Sequence, residues 1–307
     1  MKIKSQSWLS AMPRIFSPVF FPGFLLLLSI NGRAQNLFMA DAYSNSIFEF
    51  TPGGARTTFA SGLSYPVGMA FDSAGNMYEA DDGSGNIYKF TPGGVRSTFA
   101  SGLVQPYSLA FDRSGNLFVG TYGGVAKIIK ITPTGVKSTF ASGLSDAVGL
   151  AFNSAGTLFE SDMGSEQILE FTPGGAESVY ASGSFEPSGL AFNSAGNLFV
   201  GDVLDNNIYE IDPSFNVSTI ASGLKFPTGL AIDSSGDVFA NEILGHDIIE
   251  ITPGGNKSVF VSGSYNPYGI AFAPQIVPEG STSGFLAFGL GALFVSHRKL
   301  GRFSSTF

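Results

Sequence analysis

The chain contains no cysteine and only two histidines, His246 and His297, the second close to the C-terminus. Disulfide frameworks, thiolate metal sites, cysteine nucleophiles and lipidation at cysteine are thereby excluded. Most histidine-dependent chemistry would have to rest on His246 alone. Charged residues are scarce, 13% of 307, and there is one tryptophan. Helical periodicity is missing from the body of the chain. What is present is apolar and glycine-rich: 44% hydrophobic residues, 30 Phe and 40 Gly, spread evenly along the sequence. Such a chain buries enough surface to offset the entropy of ordering, which rules out disorder, and the even spread points to one unit copied many times.

Both ends read as processing segments. Residues 1–34 carry Lys2, Lys4 and Arg14, then the apolar run IFSPVFFPGFLLLLSI, then small residues Gly32 and Ala34 ahead of Gln35. This is the layout of a secretory signal peptide cut before Gln35, and it predicts export. At the other end an apolar stretch over 285–295 is followed by His297, Arg298, Lys299 and Arg302, a basic cluster that holds that end on the cytoplasmic side. With Val277, Pro278 and Glu279 in front, residues 275–307 resemble the PEP-CTERM sorting signal, a short motif, a transmembrane helix and a basic cluster recognised by an exosortase; Gly280 stands where that motif has its second proline. The resemblance implies transient membrane attachment through the tail, then delivery to the outer face of the cell membrane, the envelope or the extracellular matrix. Between the ends, residues 35–277 hold 9 Lys plus Arg against 23 Asp plus Glu, a formal charge of −14. A surface this acidic repels phosphate backbones, which excludes nucleic acid as a partner and favours cations and basic partners.

The middle is one motif written six times. Thr51, Thr91, Thr132, Thr172, Asp212 and Thr252 fall at intervals of 40, 41, 40, 40 and 40 residues. Each copy holds four short runs rich in Phe, Val, Ile and Tyr, separated by Gly, Pro, Asn and Asp clusters, the mark of antiparallel strands joined by tight turns. In the first full copy the runs are 68–71, 77–80, 87–90 and 96–100. A period near 40 with four strands per unit predicts a β-propeller. Five blades start at Pro66, Pro106, Ala147, Pro187 and Pro227; the sixth is divided, three strands from residues 36–61 and one from 268–272. Residues 35–274 therefore form an all-β, six-bladed propeller, monomeric, closed by N- and C-terminal segments that share one blade.

Recurring residues have structural tasks. Gly68, Ser108, Gly149, Gly189, Gly229 and Gly269 fall where inner strands converge on a narrow axis. The DSAGN segments use an Asx side chain and a glycine to turn the chain, and TPGG predicts a type II turn with positive φ at its first glycine. Taken together, P-x-GLAFD-x-x-GNLFVAD-x-x-N-x-I-x-x-F is similar to the repeats of NHL and gluconolactonase-like propellers. That resemblance covers about 240 residues and implies the fold. Gluconolactonase-like enzymes hold a divalent metal through Glu, Asn and Asp in the central channel, whereas their motifs have no counterpart at matching positions here.

Candidate chemistry lies where one face of the disc gathers the second-to-third-strand loops and the inter-blade linkers. The residue ending each second strand is Asp41, Asp81, Thr121, Asp162, Asp202 or Glu242. These acids read either as caps of their own loops or as a ring of oxygens suited to Ca²⁺. Two residues earlier, Glu79 and Glu160 interrupt an otherwise apolar position, on the same side of the strand as Asp81 and Asp162. A lone carboxylate there needs a cation, a metal or a proton, so Glu79, Asp81, Glu160 and Asp162 are the candidate ligands for Ca²⁺ or another divalent ion. Tyr107 and Tyr268, each just after a blade-start proline, are placed at the mouth of the channel with Val67, Val148, Ser188 and Thr228. His246 lies in a loop on the same face; a propeller lyase of the virginiamycin-inactivating type would use such a residue. With Tyr107 and Tyr268 it completes the candidate ligand-binding set. The pattern as a whole predicts an envelope-sorted module that binds a protein or an extracellular polysaccharide and performs no chemistry. The alternative is a divalent-metal-dependent lactonase or hydrolase.

Overall fold

The computed structural model describes residues 35–263 and 265–274; the two ends expected to be processing segments lie outside them. Within this range there are six four-stranded antiparallel sheets and one 3₁₀ turn, Met163–Ser165. Among the described residues no helix is long and apolar enough to cross a membrane. Blades 1 to 5 comprise residues 66–100, 106–144, 147–182, 187–221 and 227–262, and the closing blade joins residues 37–61 to 267–272. The inner strands begin at Pro66, Pro106, Ala147, Pro187 and Pro227, and the architecture is the six-bladed propeller that the repeat predicts. In the closing blade, Pro267–Phe272 runs antiparallel to Leu37–Asp41, pairing Leu37 with Phe272, Phe38 with Ala271 and Met39 with Ile270. Gln35 and Asn36 extend the seam through hydrogen bonds with Ala273 of 2.9 and 3.1 Å.

Both faces of each sheet meet a neighbouring blade, so the second strands, such as Leu37–Asp41 and Leu198–Asp202, are buried along their whole length. The abundance of phenylalanine has a geometric cause. At each interface an aromatic ring from the second strand packs edge-on against one from its own outer strand and one from the next blade's inner strand. Phe38 meets Phe59 and Phe71 at 5.1 and 5.3 Å, and Phe239 meets Phe260 and Phe272 at 5.1 and 5.0 Å. Blade 4 substitutes Ile220 and Ile232 around Phe199.

The inner glycines are dictated by the neighbouring backbone. A Cβ on Gly68 would stand 2.1 Å from the carbonyl oxygen of Tyr107, and one on Gly269 2.1 Å from that of Val67. At Asp72 and its counterparts the Asx turn forms as expected, Oδ1 of Asp72 accepting from the N–H groups of Ala74 and Asn76 at 3.0 and 2.9 Å. The TPGG segments depart from expectation. The turn is closed by the Gly54 N–H donating to the Thr51 carbonyl at 2.8 Å, and positive φ falls on Gly54 (79°), while Gly53 stays outside the left-handed region. This is a type I turn with a left-handed glycine after it, a form that fits the strand twist, and the type II assignment is corrected accordingly.

Candidate functional site

The acids that end the second strands join loops to linkers. Asp81 accepts from the Ser64 N–H at 2.6 Å and from the Ser84 N–H at 3.1 Å. Asp162 accepts from Ser145 and Asp146, both at 2.9 Å. Asp202 accepts from Glu186 at 3.0 Å, Glu242 from Lys225 at 3.0 Å and Asp41 from Asn266 at 3.3 Å. Each carboxylate thus fastens the linker that enters its own blade, besides the loop in the cases of Asp41, Asp81 and Asp202. In blade 2 Thr121 is too short for this task, and its Oγ1 accepts from the Lys127 N–H instead.

Glu79 and Glu160 are fully buried, and neither carboxyl group has a hydrogen-bond partner. Strand alternation sets Glu79 on the face of Met77, against Phe38 and Ile47 of the closing blade. Glu160 shares the face of Leu158, against Phe118 and Ile128 of blade 2. The two glutamates therefore occupy different interfaces, with blades 1 and 2 between them. Burial, reinforced by Asp81, holds the Glu79 carboxyl well above the usual carboxylate range. Burial, reinforced by Asp162, pushes Glu160 up to about 9. Burial without a partner thus favours the protonated form of both carboxyl groups. Lys89, a candidate counter-ion, is turned to Asp72 at 3.7 Å and to the Tyr78 ring. Among the described residues no three His, Asp or Glu side chains are grouped so as to hold a metal ion.

His246 occupies the left-handed position (φ 60°) that Asn45, Glu166 and Asn206 fill in other blades. Its Nδ1 is hydrogen-bonded to the carbonyl oxygen of Tyr265 in the neighbouring linker, and it is not among the residues lining the channel mouth.

Tyr107 and Tyr268, by contrast, come together. Their rings meet edge-on at 6.1 Å over a cavity of about 360 Å³ at the mouth. Below it the channel narrows to about 90 Å³ between the inner strands. Two further tyrosines complete the wall: the Tyr65 hydroxyl lies 2.8 Å from that of Tyr268, and Tyr122 stacks on Tyr107 at 5.4 Å. Burial raises the phenol pKa of Tyr65, Tyr107 and Tyr122. Among the described residues the lining has one carboxylic acid, Asp82, and no basic side chain.

The linker residues enter the mouth through unusual backbone. Tyr65, Gln105 and Phe226 have φ of 59°, 44° and 63°, although each is bulky, none is glycine and each precedes a proline. Such conformations cost of order 1–3 kcal/mol, and all three residues line the cavity. Sequence reasoning missed Tyr65, Gln105, Tyr122 and Phe226. The signal that was available is their departure from the repeat: the linker and loop positions carry no consensus, and aromatic residues are concentrated there around the first two blades. Beside the mouth, where Thr121 replaces the acid, a groove of about 570 Å³ runs past Val104, Gly123, Gly124 and Val125 and shares Gln105 and Tyr122 with the cavity.

No protein-family model matches the chain, and no curated protein matches it. Solved structures do. A chain of a nidogen/laminin complex aligns over 78% of this chain and 98% of its own, with 18% identity and a TM-score of 0.71. A gluconolactonase from Xanthomonas campestris aligns over 67% of this chain and 79% of its own, with 16% identity and a TM-score of 0.61. Virginiamycin B lyase from Staphylococcus aureus aligns over 66% and 73%, with 20% identity and a TM-score of 0.55. At these identities the likeness shows a shared propeller fold.

Proposed function

We propose that the protein is an exported, envelope-sorted binding module whose channel mouth and adjoining groove hold an extended partner, a protein segment or an extracellular polymer. The observation that carries this reading is the concentration of departures from the repeat in one sector. Thr121 in place of an acid, Tyr122 and the Gly123–Gly124 pair all belong to blade 2, and with Gln105 of its linker they line one continuous concavity. A feature that breaks the repeat has no part in maintaining it. Tyrosine-rich concave surfaces offer large contact area at low entropic cost, with hydroxyls for orientation. The nidogen/laminin structure, by its title a complex, is consistent with a propeller used for binding.

The metal-dependent hydrolase is the weaker reading, because its candidate ligands are distributed over two blade interfaces and Asp81 and Asp162 are occupied by linker N–H groups. Co-sedimentation of the purified full chain with isolated envelope and matrix material tests the binding reading. Tyr122→Ala and Phe226→Ala are expected to lower the bound fraction about tenfold, as loss of an aromatic anchor does. Asp112→Ala, on the opposite face, is expected to leave it unchanged. Equal retention of all variants would refute the assignment of the mouth. Export and sorting are tested separately by mass spectrometry of the protein from producing cells, with a mature N-terminus at Gln35 and loss of the tail near Pro278 as the expected result. Recovery of intact Met1 and Phe307 would overturn both.

A further inference from the structure

The mouth joins three properties that narrow its ligand. Its wall is four tyrosine rings in mutual contact. Its single ionisable acid, Asp82, lies within electrostatic reach of Tyr65 and Tyr107. Among the described residues no basic side chain lines the cavity, and Oδ1 of Asp82 is hidden from solvent with no hydrogen-bond partner. The last point is the informative one. Every acid at the end of a second strand accepts backbone N–H groups, whereas Asp82, the next residue along in blade 1, has its backbone N–H donated to the Tyr65 carbonyl at 3.2 Å and its Oδ1 unmatched. In the other blades the equivalent positions are Ala42, Tyr122, Met163, Val203 and Ile243. The fold therefore does not call for a carboxyl group there.

A carboxyl group in the lining beside aromatic faces is complementary to an organic cation. Ring quadrupoles attract a cation at their faces, most strongly when it is partly desolvated, and the carboxylate supplies the counter-charge. A body of formal charge −14 draws such a ligand in at long range. We propose that the mouth is a recognition site for an organic ammonium group, held between the Tyr65, Tyr107, Tyr122 and Tyr268 rings with Asp82 as its counter-ion. This names the ligand class of the binding module and rests on that reading. Burial and the neighbouring Asp81 raise the Asp82 pKa, and an arriving cation opposes both effects. The ammonium can be a small free amine or the end of a lysine side chain; in the second case the peptide on either side would lie along the groove beyond Gln105 and Tyr122.

Calorimetric titration of the full chain with three probes decides the matter: choline, N-acetyl-lysine methylamide, and 3,3-dimethylbutan-1-ol, the uncharged isostere of choline. The expected result is saturable binding of an ammonium probe, at least about tenfold tighter than the isostere. Preference for choline would identify a free amine as the source, and preference for the lysine derivative a protein partner. Asp82→Asn is expected to weaken the ammonium about tenfold and to leave the isostere unchanged. Tyr122→Leu keeps apolar area at the rim while removing a ring face, and is expected to weaken the ammonium alone. Equal affinity for choline and its isostere, or no effect of Asp82→Asn on ammonium binding, would overturn the proposal. Should neither ammonium bind while Tyr122→Ala still releases the chain from envelope material, the ligand class is wrong and the binding reading survives. Should both experiments fail, both are wrong.

Discussion

Glu160 shows how a single residue can set the pH response of a fold. Its carboxyl group lies unpaired among side chains that elsewhere in the repeat accompany Met39, Val119, Val200 or Ala240, and it stays protonated up to about pH 9. In the unfolded chain it would ionise near pH 4.5. Because the folded pKa is the higher one, the native state binds this proton more tightly. The associated stability is intact below about pH 4.5 and declines as pH rises, by roughly 1 kcal/mol per unit, until the folded group itself titrates near pH 9. Glu160→Gln keeps the shape and removes the titration. It is expected to match the native chain in urea unfolding at pH 4.5, to be more stable by a few kcal/mol at pH 8, and to flatten the profile between them. A parallel profile would mean that the carboxyl group finds a counter-charge. The residues that interrupt the repeat, Glu79 and Glu160, were visible in the sequence because their strand positions are otherwise apolar. That both lie unpartnered among apolar side chains was not, since this depends on which side chains face the group across a blade interface. Tyr107 and Tyr268 were legible for a related reason, a fixed offset from a blade-start proline. Tyr65, Gln105 and Phe226 reach the same mouth only because φ is positive, and residue type gives no hint of that for Tyr, Gln or Phe.

At the scale of the turn, two adjacent glycines do different work. Thr51-Pro52-Gly53-Gly54 places proline at the first central position, and the left-handed conformation that favours glycine falls on Gly54 at φ 79°. An added Cβ on Gly53 meets nothing within 4 Å. Gly53→Ala is therefore expected to leave the melting temperature unchanged or to raise it slightly, by restricting the unfolded chain. Gly54→Ala is expected to cost about 1 kcal/mol. The opposite order of effects would restore the type II turn. The sequence pattern located this turn and its proline correctly, but both turn types place a glycine after Pro-x or at Pro-x itself, and two consecutive glycines leave the choice to strand twist. The inner-strand glycines were more legible, because the constraint there comes from the ring: Gly229 faces the Tyr268 carbonyl at 2.5 Å from a would-be Cβ, as Gly68 faces that of Tyr107. Gly229→Ala is expected to destabilise by several kcal/mol, since a backbone carbonyl cannot move aside as a side chain can.

For the whole molecule, the repeat spacing specified blade number and closure, because two incomplete end pieces that sum to one blade leave no unpaired edge. The seam is where this arrangement can be tested. Pro267–Phe272 contributes the inner strand of the closing blade, placing Ile270 in the core beside Leu37, Met39 and Phe239 and Phe272 against Phe239. Loss of this strand would expose the inner edge of Leu37–Asp41 and open the ring at two interfaces, since it also packs on the inner strands of blades 1 and 5 through Gly269 and Gly229. A chain ending at Pro274 keeps every one of these contacts, including the bond from Ala273 to Asn36. It is expected to unfold in a single cooperative transition with its amides at 37–41 protected from hydrogen exchange. A chain ending at Ser262 is expected to lose that protection first and to unfold over a broad range, several kcal/mol less stable, with aggregation through the exposed edge. If the shorter chain instead melted as sharply and as high as the longer one, the closing blade would hold without its inner strand, and the stability of the ring would have to come from contacts between consecutive blades alone, as in an open solenoid.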